Sequence, residues 1–252
     1  MGENVTYEKK GKVGIIKLNR PEVLNAINDA LIEDFLSVFR MAQEDDTNVI
    51  ILKGEGRAFC AGADVKEGSQ PRSMEDYFNH ALHMQDMTRL MANSTKPVIA
   101  AVHGYALGGG CELALGCDIR IAAEGTKFGF PETTVGATVT NAGLQNLPRL
   151  IGMGRAKELI YTGRRLDAKE AEAWGIVNKV VPAEELDKVN MELAEEIASH
   201  DPLGITLARL CLDSGAEASF ETLLRLETFA AATSFASGER QTGMKQAIKK
   251  ES

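Results

Sequence analysis

Residues 101–118 read AVHGYALGGGCELALGCD, and the strongest structural signals of the chain fall within this stretch. The apolar run that ends at residue 102 predicts a β-strand, and five glycines follow between Gly104 and Gly116. Adjacent glycines let a backbone approach a ligand closely and adopt positive φ angles without strain. The segment CELALGC then predicts a helix, whose N-terminus presents unpaired N–H groups and the positive end of its dipole. The stretch predicts a hole for a developing negative charge, with the carboxylate of Glu112 beside it.

Two other interpretations of these glycines stay open on the residues alone. A glycine-rich turn between a strand and a helix can bind a dinucleotide, but the spacing G-x-G-x-x-G is absent here. Without that fingerprint, Glu124 carries little weight as a ribose ligand. The phosphate-loop pattern G-x-x-x-x-G-K-[ST] is absent as well. Alternatively, the glycines at 108–110 merely allow a helix to pack closely on a sheet.

The composition is that of a globular protein with a sizeable core. The chain has 252 residues, of which 44% are hydrophobic and 25% charged, and its formal net charge is −8. This length allows one large α/β domain or two small ones. Because nucleic-acid binding requires a clustered basic face, the acidic balance argues against nucleic acid as the main partner. A small anionic ligand remains possible.

Neither a membrane nor a metal is indicated. No apolar run approaches the ~18 residues of a membrane span, and the N-terminal segment MGENVTYEKKGK lacks the apolar core of a signal peptide. The four cysteines lie in mostly apolar contexts without CxxC spacing, which is typical of reduced core residues in a cytoplasmic protein. The four histidines are scattered, so no metal site is predicted.

Alternating strands and helices predict an α/β fold followed by a helical tail. Strands are predicted at 5–9, 12–18, 49–53, 97–102 and 118–122, and helices at 28–43 and 73–92. Beyond residue 141 the predicted helices are 155–161, 168–174, 183–200, 203–212 and 219–235, with an extended piece at 177–181. We expect a core domain at 1–190 and a helical C-terminal region at 191–252. Because the tail is apolar enough to need a partner surface, we expect an oligomer.

Two further segments add to the candidate site. GRAFCAGADVKE, residues 56–67, again places small residues where they expose backbone N–H groups, and KFGFPETTVG, residues 127–136, stiffens the approach to Glu132 with a proline. Glu112 and Glu132 both lie in apolar sequence, where a carboxylate is costly unless it is paired, hydrogen-bonded or used. A structural hydrogen-bonding role is the alternative for each glutamate, but two of them beside such turns favour catalysis.

Over nearly its whole length the sequence resembles the crotonase, or enoyl-CoA hydratase/isomerase, superfamily. The resemblance is carried by NRPEVLNAI at 19–27, AFCAGADVKE at 58–67, KPVIAAVHGYALGGGCELALGCDIRIA at 96–122, FGFPETTVG at 128–136, LPRLIG at 147–152 and AEAWGIVNKVVP at 171–182. It implies a spiral of stacked ββα turns with a helical C-terminal region that drives assembly into a homotrimer or a dimer of trimers.

The resemblance also assigns site residues by position. It implies that the N–H groups of Ala63 and Gly109 form an oxyanion hole for a thioester carbonyl, and that Glu112 and Glu132 are the acid and base. The implied coenzyme A contacts are Val23, Leu24, Ala26, Ala61, Asp64 and Val65. Coenzyme A would enter as part of the acyl-CoA substrate, with no separate cofactor and no metal.

The sequence departs from the common hydratase pattern in two places. Where relatives carry a Pro-Gly-x-Gly-Gly-Thr-Gln-Arg-like run, residues 139–146 read VTNAGLQN. Thr138, Thr140 and Asn141 add polar groups to the implied acyl pocket, which favours a polar, cyclic or branched acyl chain. The C-terminus lacks the usual Phe and Lys-Arg tail; its lysines at 245, 249 and 250 are candidates for a phosphate contact, beside the plainer interpretation of a solvated basic end.

The resemblance implies hydration of a 2-enoyl-CoA to the 3-hydroxyacyl-CoA. Retention of both Glu112 and Glu132 favours hydration over double-bond isomerisation, for which one carboxylate can suffice. The alternatives are another acyl-CoA reaction on the same scaffold (isomerase, thioester hydrolase, decarboxylase or carbon–carbon lyase) and a non-catalytic coenzyme A-binding protein.

Overall fold

The computed structural model describes residues 2–215, 218–238 and 241, which form two sheets and a set of surrounding helices. The strands are β1 (Val5–Lys10), β2 (Val13–Leu18), β3 (Val49–Gly54), β4 (Val98–Val102), β5 (Tyr105–Leu107), β6 (Ile119–Ala123), β7 (Lys127–Gly129), β8 (Arg165–Asp167) and β9 (Lys179–Val181). The helices are α1 (Asp29–Glu44), α2 (Val65–Gly68), α3 (Met74–Ala92), α4 (Gly109–Leu115), α5 (Gly143–Ile151), α6 (Met153–Thr162), α7 (Ala168–Trp174), α8 (Leu186–Ala198), α9 (Pro202–Ser214) and α10 (Phe220–Ala236). The predicted α/β class is confirmed.

The larger sheet has the strand order β1-β2-β3-β4-β6-β9. Only the β1–β2 hairpin is antiparallel among its pairings, with Tyr7 opposite Ile16; the remaining neighbours run parallel. Continuous apolar runs such as VIAAV in β4, buried along its whole length, are typical of parallel strands covered on both faces. The smaller sheet, β5-β7-β8, carries the candidate site at the ends of β5 and β7.

Helices cover both faces of the larger sheet. On one face, α1 and α3 bury Phe35, Phe39 and Met87 in the main core. Asn28 caps α1 by accepting from Leu31 N (2.9 Å), and Ser73 caps α3 by accepting from Asp76 N (3.0 Å). On the other face, α8 packs on β2, β3, β4 and β6. The predicted boundary at residue 190 lies within α8, and the division into two regions stays a prediction.

Several short elements were not predicted. The three-residue strands β5, β7 and β8 are too short for an alternating pattern to reveal them. Helix α5 contains Pro148 and begins after Ala142, which has a φ of +68°, so its sequence carries neither a normal cap nor an uninterrupted helical pattern. Both omissions matter, because the ends of β5 and α5 hold the candidate site.

The C-terminal helices project from the core. Arg209 of α9 anchors them, donating to Asp118 Oδ1 (3.0 Å) and to the Met91 and Ser94 carbonyls near the end of α3. Helix α10 packs on α9 and leaves large apolar side chains in solvent, with Phe220 and Phe229 each 73% exposed. Lysines 245, 249 and 250 lie outside the described residues. Among the helices of the described part of the chain, none combines the length and apolarity that crossing a membrane requires.

One buried asparagine joins two loops that lead to the candidate site. Asn25 Nδ2 donates to the carbonyls of Glu55 (2.9 Å) and Ala58 (2.8 Å), and its Oδ1 accepts from Arg20 N (2.8 Å). Leu24 and Asn25 both have positive φ angles, +55° and +57°. Two successive non-glycine residues in this region are unfavourable unless neighbouring contacts hold them. The Asn25 amide supplies those contacts.

We expect Asn25→Ala to lower the free energy of unfolding by about 2–4 kcal/mol, because the buried Ala58 carbonyl and the partly buried Glu55 carbonyl lose their donor and alanine tolerates a positive φ poorly. Urea denaturation followed by circular dichroism measures the change. The exposed Asn93→Ala at the end of α3 is the control and should change it by less than about 0.5 kcal/mol. Equal losses in the two variants would contradict this role for Asn25.

Candidate active site

The site is built around the N-terminus of α4, a fully buried seven-residue helix. Gly108 is its N-cap residue, whose φ of +51° and ψ of −127° are strained for other residues. A Cβ on Gly110 would lie 2.2 Å from the Cys60 carbonyl oxygen. The close-packing interpretation of the glycines therefore holds for Gly110. This interpretation is compatible with the predicted oxyanion hole, because the same close packing brings α4 against the glycine-containing segment 56–67.

The N–H groups of Ala63 and Gly109 lie side by side. A Cβ on Gly109 would stand 3.9 Å from Ala63 N, and one on Gly62 would stand 3.4 Å from Gly109 N. Ile27 pairs with this segment by donating to Gly62 O and accepting from Asp64 N, each at 2.8 Å, so it leaves the intervening Ala63 N–H free. Within the described residues, no backbone carbonyl accepts from either N–H. The arrangement can bind an oxyanion.

The predicted coenzyme A segments are neighbours. Ala61 N donates to Leu24 O (3.0 Å), which joins the segment containing Val23, Leu24 and Ala26 to the segment containing Ala61, Asp64 and Val65. Ala26 is buried, whereas Val65 is 82% exposed at the start of α2. The two segments thus form one rim that leads from the surface to the Ala63 N–H group.

Arg20 is a residue of this rim that the sequence reasoning missed. Its guanidinium donates to Asp64 Oδ2 (3.0 Å) and to the Ala26 carbonyl (2.6 Å). Burial opposes ionisation of Asp64, but the hydrogen bonds from Arg20 and from Lys66 N prevail and hold the pKa of this carboxyl below its usual value. Asp64 is therefore an ionised clamp that fixes the residue next to Ala63.

Glu112 lies one helical turn beyond Gly109 and is 1% exposed. Its Oε1 accepts from two backbone N–H groups, those of Asn141 (2.5 Å) and Gly143 (2.9 Å). Burial raises the pKa of Glu112 to about 7; the two N–H donors oppose this, and the nearby charge of Glu132 adds to it. The carboxyl group is therefore able to gain and lose a proton near neutral pH.

Glu132 lies in the 3-10 turn Pro131–Val135, on the other side of the α4 N-terminus. A Cβ on Gly108 would be 2.7 Å from Glu132 Oε1, so this carboxylate rests against the glycine that precedes the predicted hole. Its Oε2 is buried and has no hydrogen-bond partner among the described residues. Burial raises the pKa of Glu132. Glu112 on α4 and Glu132 beside the α4 N-terminus therefore lie close enough for the charge of Glu132 to raise the pKa of Glu112.

The three polar residues expected to line the acyl pocket differ in their burial. Thr138 is exposed, Thr140 is half-buried and Asn141 is fully buried. Two residues of α3, Gln85 and Thr88, bind this segment, and no sequence pattern pointed to them.

One group of side chains in the described part of the chain has a spacing that could hold a metal ion. It consists of Asp29, Glu67 and His80, at the surface where α1, α2 and α3 meet. His80 Nδ1 is already 2.7 Å from Asp29 Oδ1, and Arg72 donates to Glu67 Oε1 (2.7 Å). The group includes neither glutamate of the candidate site.

Comparison with known proteins identifies the relatives of this chain. A family model described as Enoyl-CoA hydratase/isomerase matches residues 8–251. The chain is 43% identical over 248 residues to a probable mitochondrial enoyl-CoA hydratase of Dictyostelium discoideum, covering 97% of this chain and 88% of that protein. It is 39% identical to a short-chain-enoyl-CoA hydratase of Clostridium acetobutylicum, covering 98% and 95%. The crystal structure of an enoyl-CoA hydratase from Bacillus anthracis superimposes with a TM-score of 0.94 at 40% identity, covering 98% and 96% of the chains. The predicted fold is therefore confirmed.

We expect Gly108→Ala to displace the carboxylate of Glu132, because the new methyl group would overlap Oε1. Gly125→Ala is the matched control: Gly125 also has a positive φ, +81°, but a Cβ there meets no atom within 4 Å. Both variants should lose about 1–2 kcal/mol of stability from backbone strain. Crystal structures of the two variants provide the measurement, and an unmoved Glu132 in Gly108→Ala would contradict the close approach described here.

Proposed function

Because this chain belongs to the enoyl-CoA hydratase/isomerase family, we propose that it adds water to a 2-enoyl-CoA thioester to give the 3-hydroxyacyl-CoA. The relatives with about 40% identity carry the names enoyl-CoA hydratase and crotonyl-CoA hydratase, which supports this reaction. The observation that carries the proposal is the meeting of two carboxyl groups, the buried Glu112 and the half-buried Glu132, with the N–H groups of Ala63 and Gly109, which donate to no backbone carbonyl of the described residues.

The two N–H groups act on the thioester carbonyl. As water attacks Cβ, the electron pair of the double bond moves onto the carbonyl oxygen and gives an enolate. Ala63 N–H and Gly109 N–H donate to that oxygen, and the N-terminus of α4 adds its dipole. Because such donors are already oriented before the reaction, each is typically worth about 10²–10³ in rate.

The glutamates move the protons. Glu112 takes one proton from the attacking water as the water oxygen bonds to Cβ. Glu132 delivers a proton to Cα as the enolate returns to the thioester. Water is thereby added in full, and a proton passes from Glu112 to Glu132 before the next turnover. Hydrogen bonding supports this assignment, since the two N–H donors on Glu112 Oε1 favour its ionised form, whereas Glu132 Oε2 has no such donor among the described residues.

The coenzyme A moiety lies along the rim formed by the segments 23–26 and 61–65. The rim joins Leu24 to Ala61 by a hydrogen bond and ends at Ala63, so a thioester bound along it reaches the N–H pair. The reaction as written needs only water and the thioester, and no metal or separate cofactor takes part in it.

The protein assembles through its C-terminal helices, as a trimer or a dimer of trimers. The large apolar side chains that α10 exposes, Phe229 and Phe220 among them, form a surface that a single copy leaves in water. Packing of α9 and α10 against the same helices of other copies removes this surface from solvent.

Glu112→Gln and Glu132→Gln should each lower kcat for crotonyl-CoA hydration by about 10²–10⁴ while leaving the affinity for coenzyme A esters nearly unchanged. Loss of the enoyl absorbance measures the reaction. Glu124→Gln, at an exposed carboxylate near Lys169, is the matched control and should retain wild-type activity. Wild-type rates in both site variants would refute the two-carboxylate mechanism. Tight binding without turnover of any 2-enoyl-CoA by the wild type would instead favour another acyl-CoA reaction.

Phe229→Glu should convert the assembly to monomers, because it places a charge in the apolar contact. Size-exclusion chromatography with light scattering should then give the 27.2 kDa chain mass, in place of three or six times this mass for the wild type. Met74→Glu introduces the same charge at a 90% exposed apolar residue of α3 and should leave the assembly intact. A wild-type monomer would refute the proposed assembly.

A further inference from the structure

The segment that binds Glu112 is itself bound to α3. Thr88 Oγ1 donates to Asn141 Oδ1 (2.6 Å), and Gln85 Nε2 donates to the Thr140 carbonyl (2.9 Å). Asn141 is fully buried, and its backbone N–H is one of the two donors to Glu112 Oε1. A continuous chain of hydrogen bonds therefore runs from α3 through residues 140 and 141 to the carboxylate.

We propose that Asn141 is a positioning residue for Glu112 and that Thr88 is its anchor on α3. The inference rests on the proposed function only in giving Glu112 a catalytic task; the hydrogen-bond chain itself does not depend on it. In this arrangement Asn141 does not touch the substrate. It acts by holding two backbone N–H groups on one oxygen of the carboxylate.

The backbone needs such an anchor. Ala142, between the two donor residues, has a φ of +68°, a conformation that costs alanine about 1–2 kcal/mol. A strained residue persists only where its surroundings over-determine it. The segment is also closely packed at Gly143, because a Cβ there would lie 2.9 Å from Glu112 Cγ and 2.7 Å from Val139 Cγ1. The bonds from Gln85 and Thr88 are the polar contacts that hold this segment from the α3 side.

The amide of Asn141 is not explained by packing. Its Nδ2 is buried and has no hydrogen-bond partner among the described residues, which costs about 1–3 kcal/mol. An aliphatic side chain of similar volume would fill the same space without that cost. What the amide supplies is the acceptor Oδ1 for the Thr88 hydroxyl, and through it a fixed position for the Asn141 backbone.

The charged surroundings of Glu112 define the expected pH effect. Glu132 faces it from the 3-10 turn, Cys111 is its neighbour on α4, and Arg120 lies beyond the far end of α4, donating to the Ala114 and Cys117 carbonyls. From α3 and α5 the groups that determine its position are neutral. Loosening the anchor weakens hydrogen bonds to the ionised carboxylate and leaves these charges in place, so the pKa of Glu112 must rise.

Thr88→Val tests the anchor, since it removes the hydroxyl and keeps the shape. We expect the Glu112 carboxyl carbon, assigned in ¹³C NMR spectra by comparison with Glu112→Gln, to titrate about one pH unit higher than in the wild type. With Glu112 as the base, the rising limb of the kcat profile moves to higher pH by the same amount. A rise of one unit from a pKa near 7 lowers the ionised fraction at pH 7 about fivefold. KM should change less than about twofold, because the hydroxyl of Thr88 bonds to Asn141 and not to the coenzyme A rim.

Three further variants make the result decisive. Thr88→Ser keeps the hydroxyl and should restore the wild-type titration. Thr206→Val removes a similar hydroxyl-to-carbonyl bond, 2.7 Å to Thr95 O, far from Glu112 and should have no effect on it. Gln85→Met removes the other bond to the segment and replaces Thr88→Val should that variant not fold.

The NMR titration separates this inference from the proposed reaction. An unchanged Glu112 titration in Thr88→Val, or in Gln85→Met where Thr88→Val does not fold, would overturn the positioning role, whatever the activity. A raised titration in a protein that does not hydrate enoyl-CoA would support the positioning role and refute only the hydratase assignment.

Discussion

The close approach of α4 to the segment 60–63 is the constraint on which the candidate site depends. A Cβ on Gly110 would lie 2.2 Å from the Cys60 carbonyl, and one on Gly62 would lie 2.6 Å from the Leu107 carbonyl, so neither position accommodates a side chain. A backbone bridge between Cys60 and Ala106 fixes the distance from the other side. The N–H groups of Ala63 and Gly109, 46 positions apart in the sequence, are thereby brought side by side. Without this approach the chain would have two glycine-rich turns and no hole.

Burial of the two carboxyl groups is costly for stability and useful for chemistry. Glu112 and Glu132 are held where burial raises both pKa values, which a fold selected for stability alone would avoid. The cost is reduced at Glu112 by two backbone donors and left in place at Glu132 Oε2. Unequal hydrogen bonding of two similar groups is a general way to separate a base from an acid. Here the difference comes from which backbone N–H groups each carboxyl group meets.

The parts of the site that the sequence predicted are those whose role requires an unusual residue type at that position. Glycine at 108 reports a positive φ, glycine at 110 reports a backbone that admits no Cβ, and glutamate in an apolar run reports a carboxylate that must be accommodated. Most strands and helices of the core followed from the alternation and periodicity of apolar residues. Arg20 and Thr88 left no such trace: each is an ordinary residue type whose role depends on a partner 44 or 53 positions away. Helix α5 was not predicted, because Pro148 interrupts the helical pattern and Ala142 at its start is not a usual capping residue.

In the structure, the departure at 139–146 takes part in hydrogen bonds to α3 and to Glu112. Polar residues in an implied acyl pocket favour a polar acyl chain only when they face that pocket. Asn141 instead uses its side-chain oxygen on Thr88 and its backbone N–H on Glu112, and the Thr140 carbonyl accepts from Gln85. A glycine-rich run gains a tight turn from the absence of side chains. In this chain Ala142 takes the same kind of turn at a cost in strain, and side-chain hydrogen bonds to α3 offset it. The Asn141 side chain and the Thr140 carbonyl therefore anchor this segment to α3, and the preference for a polar, cyclic or branched acyl chain stays a prediction.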